Sequence, residues 1–335
     1  MKKQVTKTAL LSIIMFVLGA LAFLTAFFFG SSGVSFRELI AFIRGSADAS
    51  VYTIFFNLRL PRALLAFVSG GALSISGACL QGMFKNPMAD SYVVGVSSGA
   101  ALGATIALVF GFSISWLGFG AVTVFAFLGG IGAIFFVYSI AKIKGKVSTF
   151  SLLLSGIAIS SLCSALVYCM MIIFRDKMEH IVMWTMGSFS SSSWDKVKVA
   201  VPVMIVASLL CSLFARDLNI MLQGDETARH LGVNTGRVRR NLLILTSVAA
   251  ASAVSVSGII GFVGLIVPHM LRIISGPDHK KLLPLSFFGG SIFLLVADTL
   301  ARTVLDSQEI PVGVITALVG VPFFLYLLKR GRKTA

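Results

Sequence analysis

Charge is scarce in this chain. Asp, Glu, Lys and Arg make up 12% of its 335 residues, against roughly 25% for a soluble domain, which argues against an ordinary water-soluble globule. Cysteine is almost as rare. Cys79, Cys163, Cys169 and Cys211 all lie in apolar stretches and none forms a CxxC pair, so they read as small buried hydrophobes rather than a disulfide framework or a thiolate metal site. The four histidines, His180, His230, His269 and His279, are scattered, and HExxH does not occur, so no hydrolytic constellation and no metal site is expected. A phosphate-binding loop needs GxxxxGK followed by Ser or Thr. Lys144-Gly-Lys-Val-Ser148 comes nearest, but Val147 stands where the hydroxyl must be. The chain therefore carries no nucleotide site of that kind, and no cofactor of its own is expected.

Apolar residues fill the space that charge leaves. They form 57% of the sequence and gather in ten segments, roughly 9–29, 62–82, 91–110, 119–141, 148–174, 194–214, 241–260, 264–274, 284–303 and 311–328. Most approach the ~20 residues that cross a hydrocarbon core. The eighth is too short and predicts a broken or partly inserted helix enclosed by protein. A barrel would show short alternating segments instead. The expected fold is an all-α polytopic membrane protein of about ten transmembrane helices. The opening MKKQVTKTAL resembles a signal peptide, but its apolar run is long and no clear A-x-A site follows, so it reads as an uncleaved first helix.

The net charge is +15. On a soluble protein this would suggest nucleic acid. Here the basic residues sit mostly in short loops, where membrane orientation and anionic headgroups account for them. With both termini inside, eighteen of the 28 Lys and Arg fall on the inner side and nine outside, Arg272 lying in the short eighth segment. That arrangement makes the outer arginines of Asn57-Leu-Arg-Leu-Pro-Arg62 conspicuous. A faint repeat also shows. Ser74-Ile-Ser-Gly77 resembles Ser255-Val-Ser-Gly258, with Pro87 and Pro268 ten residues on and Gly95 and Gly276 at one further shared offset. It suggests an inverted repeat, as in many transporters.

Two polar features stand out. Asp298 and Arg302 are four apart near the outer end of the ninth segment and could pair across one helical turn. Ala215 to Asn241 is the longest polar stretch on the inner side. Within it, Gly224-Asp-Glu-Thr-Ala-Arg-His-Leu-Gly232 has a glycine at each end and acids in its first turn, the punctuation of a short exposed helix. Such a helix is either a docking element or a solvated loop helix.

Several long stretches resemble one family: NLRLPR at 57–62, SGACLQGMFKNPMADSYVVGVSSGA at 76–100, GDETARHLG at 224–232, SGIIGFVGLIVPHMLR at 257–272, DTLAR at 298–302 and EIPVGVITALVGVPFFLYLL at 309–328. The sequence is similar to the FecCD-like permease subunits of type II ABC importers, which take up iron–siderophore complexes, haem or cobalamin. The resemblance runs over about residues 9–330. It implies a single permease domain over 1–335 with ten helices and both termini cytoplasmic, in the cell membrane of a bacterium or archaeon. It implies a second permease subunit, in a homo- or heterodimer, two ATPase subunits that bind ATP and Mg, and an extracytoplasmic substrate-binding protein. By the same resemblance, Arg59, Arg62 and Arg302 dock the binding protein. Residues 224–232 form the coupling region, with Gly224, Asp225, Glu226, Arg229, Leu231 and Gly232 meeting the ATPase. Ser148, Thr149 and Phe150 form an inner gate, where Phe150 departs from the small polar residue expected. The alternative is a secondary transporter driven by protons or sodium, which would need ionisable groups near the midplane.

Overall fold

The computed structural model describes residues 2–29, 36–92, 94–112, 115–116, 119–143, 146–305 and 308–331. Of the basic residues counted on the inner side, Lys144, Arg332 and Lys333 lie outside them. The chain is nearly all helix, in this order: α1 Lys2–Phe28, α2 Phe36–Ile43, α3 Ala49–Tyr52, α4 Leu60–Phe84, α5 Val96–Phe110, α6 Ala121–Ala141, α7 Thr149–Ile173, α8 Met178–Met186, α9 Trp194–Leu213, α10 Ala215–Met221, α11 Asp225–His230, α12 Thr235–Ser257, α13 Val263–Ser275, α14 His279–Thr303 and α15 Val312–Gly331. Two small antiparallel ladders join helices: Ser115–Trp116 with Phe119–Gly120, and Lys142–Ile143 with Lys146–Val147.

Each of the ten apolar segments coincides with one helix. Among the described residues, six helical stretches are long and apolar enough to cross a membrane: Ala49–Phe84, Ala121–Ala141, Thr149–Ile173, Trp194–Leu213, Thr235–Ser257 and His279–Thr303. Four apolar stretches are shorter: Ile13–Phe28, Val96–Phe110, Val263–Ser275 and Val312–Tyr326. The eighth segment is α13, whose thirteen residues reach about 20 Å at 1.5 Å per residue. It starts after Phe262 at φ +69° and stops at Gly276. Its Val263, Gly264, Val267 and Leu271 side is buried, while Ile273 and Ile274 are exposed.

NLRLPR was expected between two apolar runs, but it lies inside one unbroken helical run, Ala49–Phe84. The reason is Pro61. Its ring cannot donate and clashes with the carbonyl four residues back. Over Thr53–Arg59 the helix widens to π geometry, and the Leu60 N–H reaches the Phe55 carbonyl instead. A π segment absorbs the proline without ending the helix.

α4 is the buried axis of the fold, packed against α14, α12, α9 and α13. Lipid offers no hydrophobic drive between helices, so close packing must hold them. Where α4 crosses α14, Gly70 and Gly290 face each other so closely that a methyl group on either would strike the other's carbonyl oxygen. Gly77 meets the backbone of Gly264 in the same way. This separates the two halves of the proposed repeat. Gly77 sits mid-helix against α13, whereas Gly258 terminates α12 at φ +70°. Pro87 follows α4 in a turn, whereas Pro268 lies within α13. The tetrapeptides are not structurally equivalent. Outward faces stay apolar, with Phe135, Phe136 and Ile140 of α6 and Leu154 and Ile157 of α7 exposed. Cys79 and Cys211 are fully buried, but Cys169 faces outward.

Candidate functional sites at the two ends of α4

At the first end the sequence brings together residues that are far apart in the chain. Arg62, in the first turn of α4, donates from Nε and Nη2 to Asp298 of α14 at 2.9–3.1 Å, and from Nη1 to both Glu309 oxygens at 2.9 Å. A guanidinium fork satisfying two carboxylates is the strong form of this contact. Arg302 lies one helical turn from Asp298. Its Nε is 3.5 Å from Asp298 Oδ2, and its Nη2 donates to the Ala26 carbonyl at 3.0 Å. Arg59 donates to the Phe27 carbonyl and lies over the Phe55 ring at 5.2 Å. Three arginines from α4, its π turn and α14 are thus joined to two carboxylates and to the last turn of α1.

Burial in this cluster is graded. The Asp298 side chain is 0% exposed, Arg302 6% and Arg62 11%, while Glu309 is 34% exposed. The three arginines named from the sequence do converge, and the Asp298–Arg302 pair forms across its turn. Their charged groups are engaged within the chain rather than standing free on a rim. Glu309 was not singled out from the sequence. It lay inside a quoted apolar motif, 247 residues from Arg62, and its one signal was being a carboxylate beside an excess of outer arginines.

Lys85 ends α4 at the other end, in left-handed conformation at φ 51°. From Arg62 to Lys85 is roughly 35 Å at 1.5 Å per residue, the scale of a bilayer. Here Asp225 accepts from Arg239 at 2.7 Å and lies 3.7 Å from Lys85. Gly224 at φ +123° and Gly232 at φ +82° bracket α11, and Ala228 pins it inward. Glu226 and Arg229 face outward, and Leu231 is 62% exposed. Asp225 thus tethers the helix, while Glu226, Arg229 and Leu231 form its free surface.

Next to this lies a tie that the sequence did not reveal. Asn219 of α10 donates to Asp278 at 2.6 Å and accepts from the His279 backbone N–H at 2.8 Å. Partial burial pulls the Asp278 carboxyl upward. Its bonds from Asn219 and the Lys280 N–H, with the Lys281 and Lys280 charges nearby, outweigh this and hold it below the usual carboxylate range. Ser148 caps α7, accepting from the Ser151 N–H at 3.0 Å. Thr149 is half-buried at the helix start, and Phe150 is 75% exposed.

Between α13, α15 and the segment after α4 lies an apolar cavity of about 870 Å³, with Asp90 and Tyr92 in its wall. Asp90 accepts from the Ser91 N–H at 2.6 Å and forms no ion pair among the described residues. It too was part of a quoted motif and was not singled out.

Comparison with known proteins gives consistent matches. Residues 16–330 match the FecCD transport family. The cobalamin import system permease protein of Halobacterium salinarum is 47% identical over 273 residues, covering 82% of this chain and 72% of that protein. The hemin transport system permease protein of Yersinia pestis is 41% identical over 306 residues, covering 91% and 90%. A solved structure of a metal-chelate type ABC transporter in an inward-facing conformation superposes with a TM-score of 0.83 at 31% identity, over 96% of this chain and 99% of that one.

Proposed function

This chain belongs to the FecCD transport family, and on that premise we propose that it is the permease subunit of an ATP-binding-cassette importer in the cell membrane. Its cargo class is an iron chelate, haem or cobalamin. Relatives whose names specify cobalamin and hemin are of comparable identity, so likeness alone does not choose among these. In this reading the ten apolar helices lie in the bilayer, the short α13 enclosed by protein, with both termini cytoplasmic, and two permease subunits flank the pathway. ATP and Mg belong to separate ATPase subunits. A substrate-binding protein docks at the arginine end of α4.

The observation that carries this reading is the pairing of two unlike ends on one buried helix. One end holds the Arg62–Asp298–Glu309 cluster, and the other holds a short tethered helix with an exposed Glu226, Arg229 and Leu231 surface. Charges at a docking rim set orientation and encounter rate, while a rigid exposed helix transmits motion to a partner. Ser148, Thr149 and Phe150 fit an inner gate because Phe150 projects freely beside a capped helix start. The test is uptake into vesicles holding this chain with its ATPase and binding protein, offered ferric siderophore, haem and cobalamin. ATP-dependent accumulation of one of them supports the reading. Uptake that continues without the ATPase would sink it.

One observation favours ion coupling instead, namely the buried Asp90 in the cavity wall. If ATP-driven uptake in Asp90→Asn matches the wild type, that carboxylate has no coupling role.

A further inference from the structure

Between the ends of α6, α7 and α12 nearest α11 lies a second cavity, of about 580 Å³. Its walls carry Lys142, Arg229, Arg237, Arg239 and Arg240. No Asp or Glu lines it among the described residues. Only Arg239 of these five forms an ion pair among the described residues, to Asp225, and the Nε of Arg239 is buried with no partner. Two helices begin at the wall as well. Ser148 caps α7 and Asn234 caps α12, where it accepts from the Arg237 N–H at 3.0 Å, and both cap residues line the cavity. Each helix start adds partial positive charge. A concave space with this much positive charge and so little compensation is built for an anion.

The surroundings narrow the class. Within about two turns of the lining residues, Phe136 and Ile140 of α6, Leu154 of α7 and Ile244 of α12 are exposed and apolar. A soluble anion has no use for such a collar, and an acidic protein surface is too broad to enter the cavity. A lipid has both parts, a charged headgroup and acyl chains. Basic pockets between helices at the membrane face are suited to anionic headgroups.

We infer that this cavity binds the phosphate headgroup of an anionic phospholipid, with its acyl chains along α6, α7 and α12. This goes beyond the transport reading and needs only that the chain sits in a membrane. Arg237 and Arg240, both exposed, carry the headgroup charge together with Lys142, and Arg239 is held in place by Asp225.

The experiment is native mass spectrometry of the full-length protein in detergent, titrated with phosphatidylglycerol, phosphatidylcholine or inorganic phosphate. The test variant is Arg237→Gln/Arg240→Gln. The control, Arg216→Gln/Lys280→Gln, removes the same charge from exposed positions outside the cavity. Wild type should retain phosphatidylglycerol over phosphatidylcholine, and the test variant should bind it about 25-fold more weakly, at about fivefold per basic residue near a membrane surface. The control should stay within about twofold of wild type on the same scale. Equal loss in both variants would mean a general basic surface and overturn the site. Displacement of the lipid by inorganic phosphate at matching affinity would assign the cavity to a soluble phosphate instead. Unchanged lipid retention with lost ATPase association would assign it to the partner protein. Lipid retention is read without uptake, so failure here and failure of the importer reading are separate results.

Discussion

Glu309 makes docking at the arginine cluster testable. Arg62 gives both bonds of its Nη1 group to Glu309, while Nε and Nη2 remain on Asp298. Asp298 is sealed, and Glu309 is one-third exposed. A partner carboxylate that takes over the Nη1 bonds of Arg62 must therefore displace Glu309. Glu309 is the wetter of the two carboxylates and Arg62 keeps its bonds to Asp298, so Glu309→Gln should cost less stability than loss of the sealed partner, on the order of 1 kcal/mol, and should tighten binding-protein docking by up to about fivefold. Asp298→Asn is the contrasting variant. It leaves two buried guanidiniums short of their shared carboxylate, and breaking a buried pair costs about 3–5 kcal/mol. The assay is surface plasmon resonance of the binding protein on the permease–ATPase complex in nanodiscs, with thermal unfolding of each variant alongside. Docking that is unchanged or weaker in Glu309→Gln would refute carboxylate exchange and leave the cluster as a structural tie. Equal thermal losses in the two variants would refute the burial argument.

Other outcomes follow from the packing and the inner ties. Gly70→Ala should destabilise the protein by about 1–3 kcal/mol, as overpacking does, because its methyl meets the Gly290 carbonyl; wild-type thermal stability in that variant would contradict the close crossing. Leu231→Asp should leave the fold intact, since the side chain is exposed, yet reduce ATPase association in co-purification. Asn219→Ala should lower thermal stability at neutral pH. The folded-state pKa of Asp278 is depressed, so its contribution is present above the unfolded value and lost as pH falls through the folded one. The gap between Asn219→Ala and wild type should therefore narrow in acid, and a gap that widens would contradict the assignment.

The helices were legible because apolar run length is a one-dimensional signal. Even the short α13 was recognisable as too brief to span alone. The Asp298–Arg302 pair was legible for the same reason, since four residues make one helical turn. Arg62 with Asp298 spans 236 residues, and no local spacing reports it. NLRLPR misled because proline and charge usually interrupt a helix, whereas a π turn let this one continue. Ser74–Gly77 and Ser255–Gly258 read alike, yet the same small residues serve close packing in one place and helix termination in the other. Asp225 and Glu226 are neighbours with equal claims in the sequence, and it is the positions of Arg239 and Lys85 that show one to be a tether and the other free.

The Gly70–Gly290 crossing also limits how the molecule can move. Two helices whose backbones touch have no side-chain layer to shear through, so α4 and α14 cannot slide past each other without breaking contact. They travel as one beam, from the arginine cluster to the Lys85–Asp225 tie. For the importer proposed above, any opening has to leave that crossing intact. The outer α7 is the contrast: it is packed mainly against α5 and α6, presents most of its surface outward, and begins at the Ser148 cap beside Phe150.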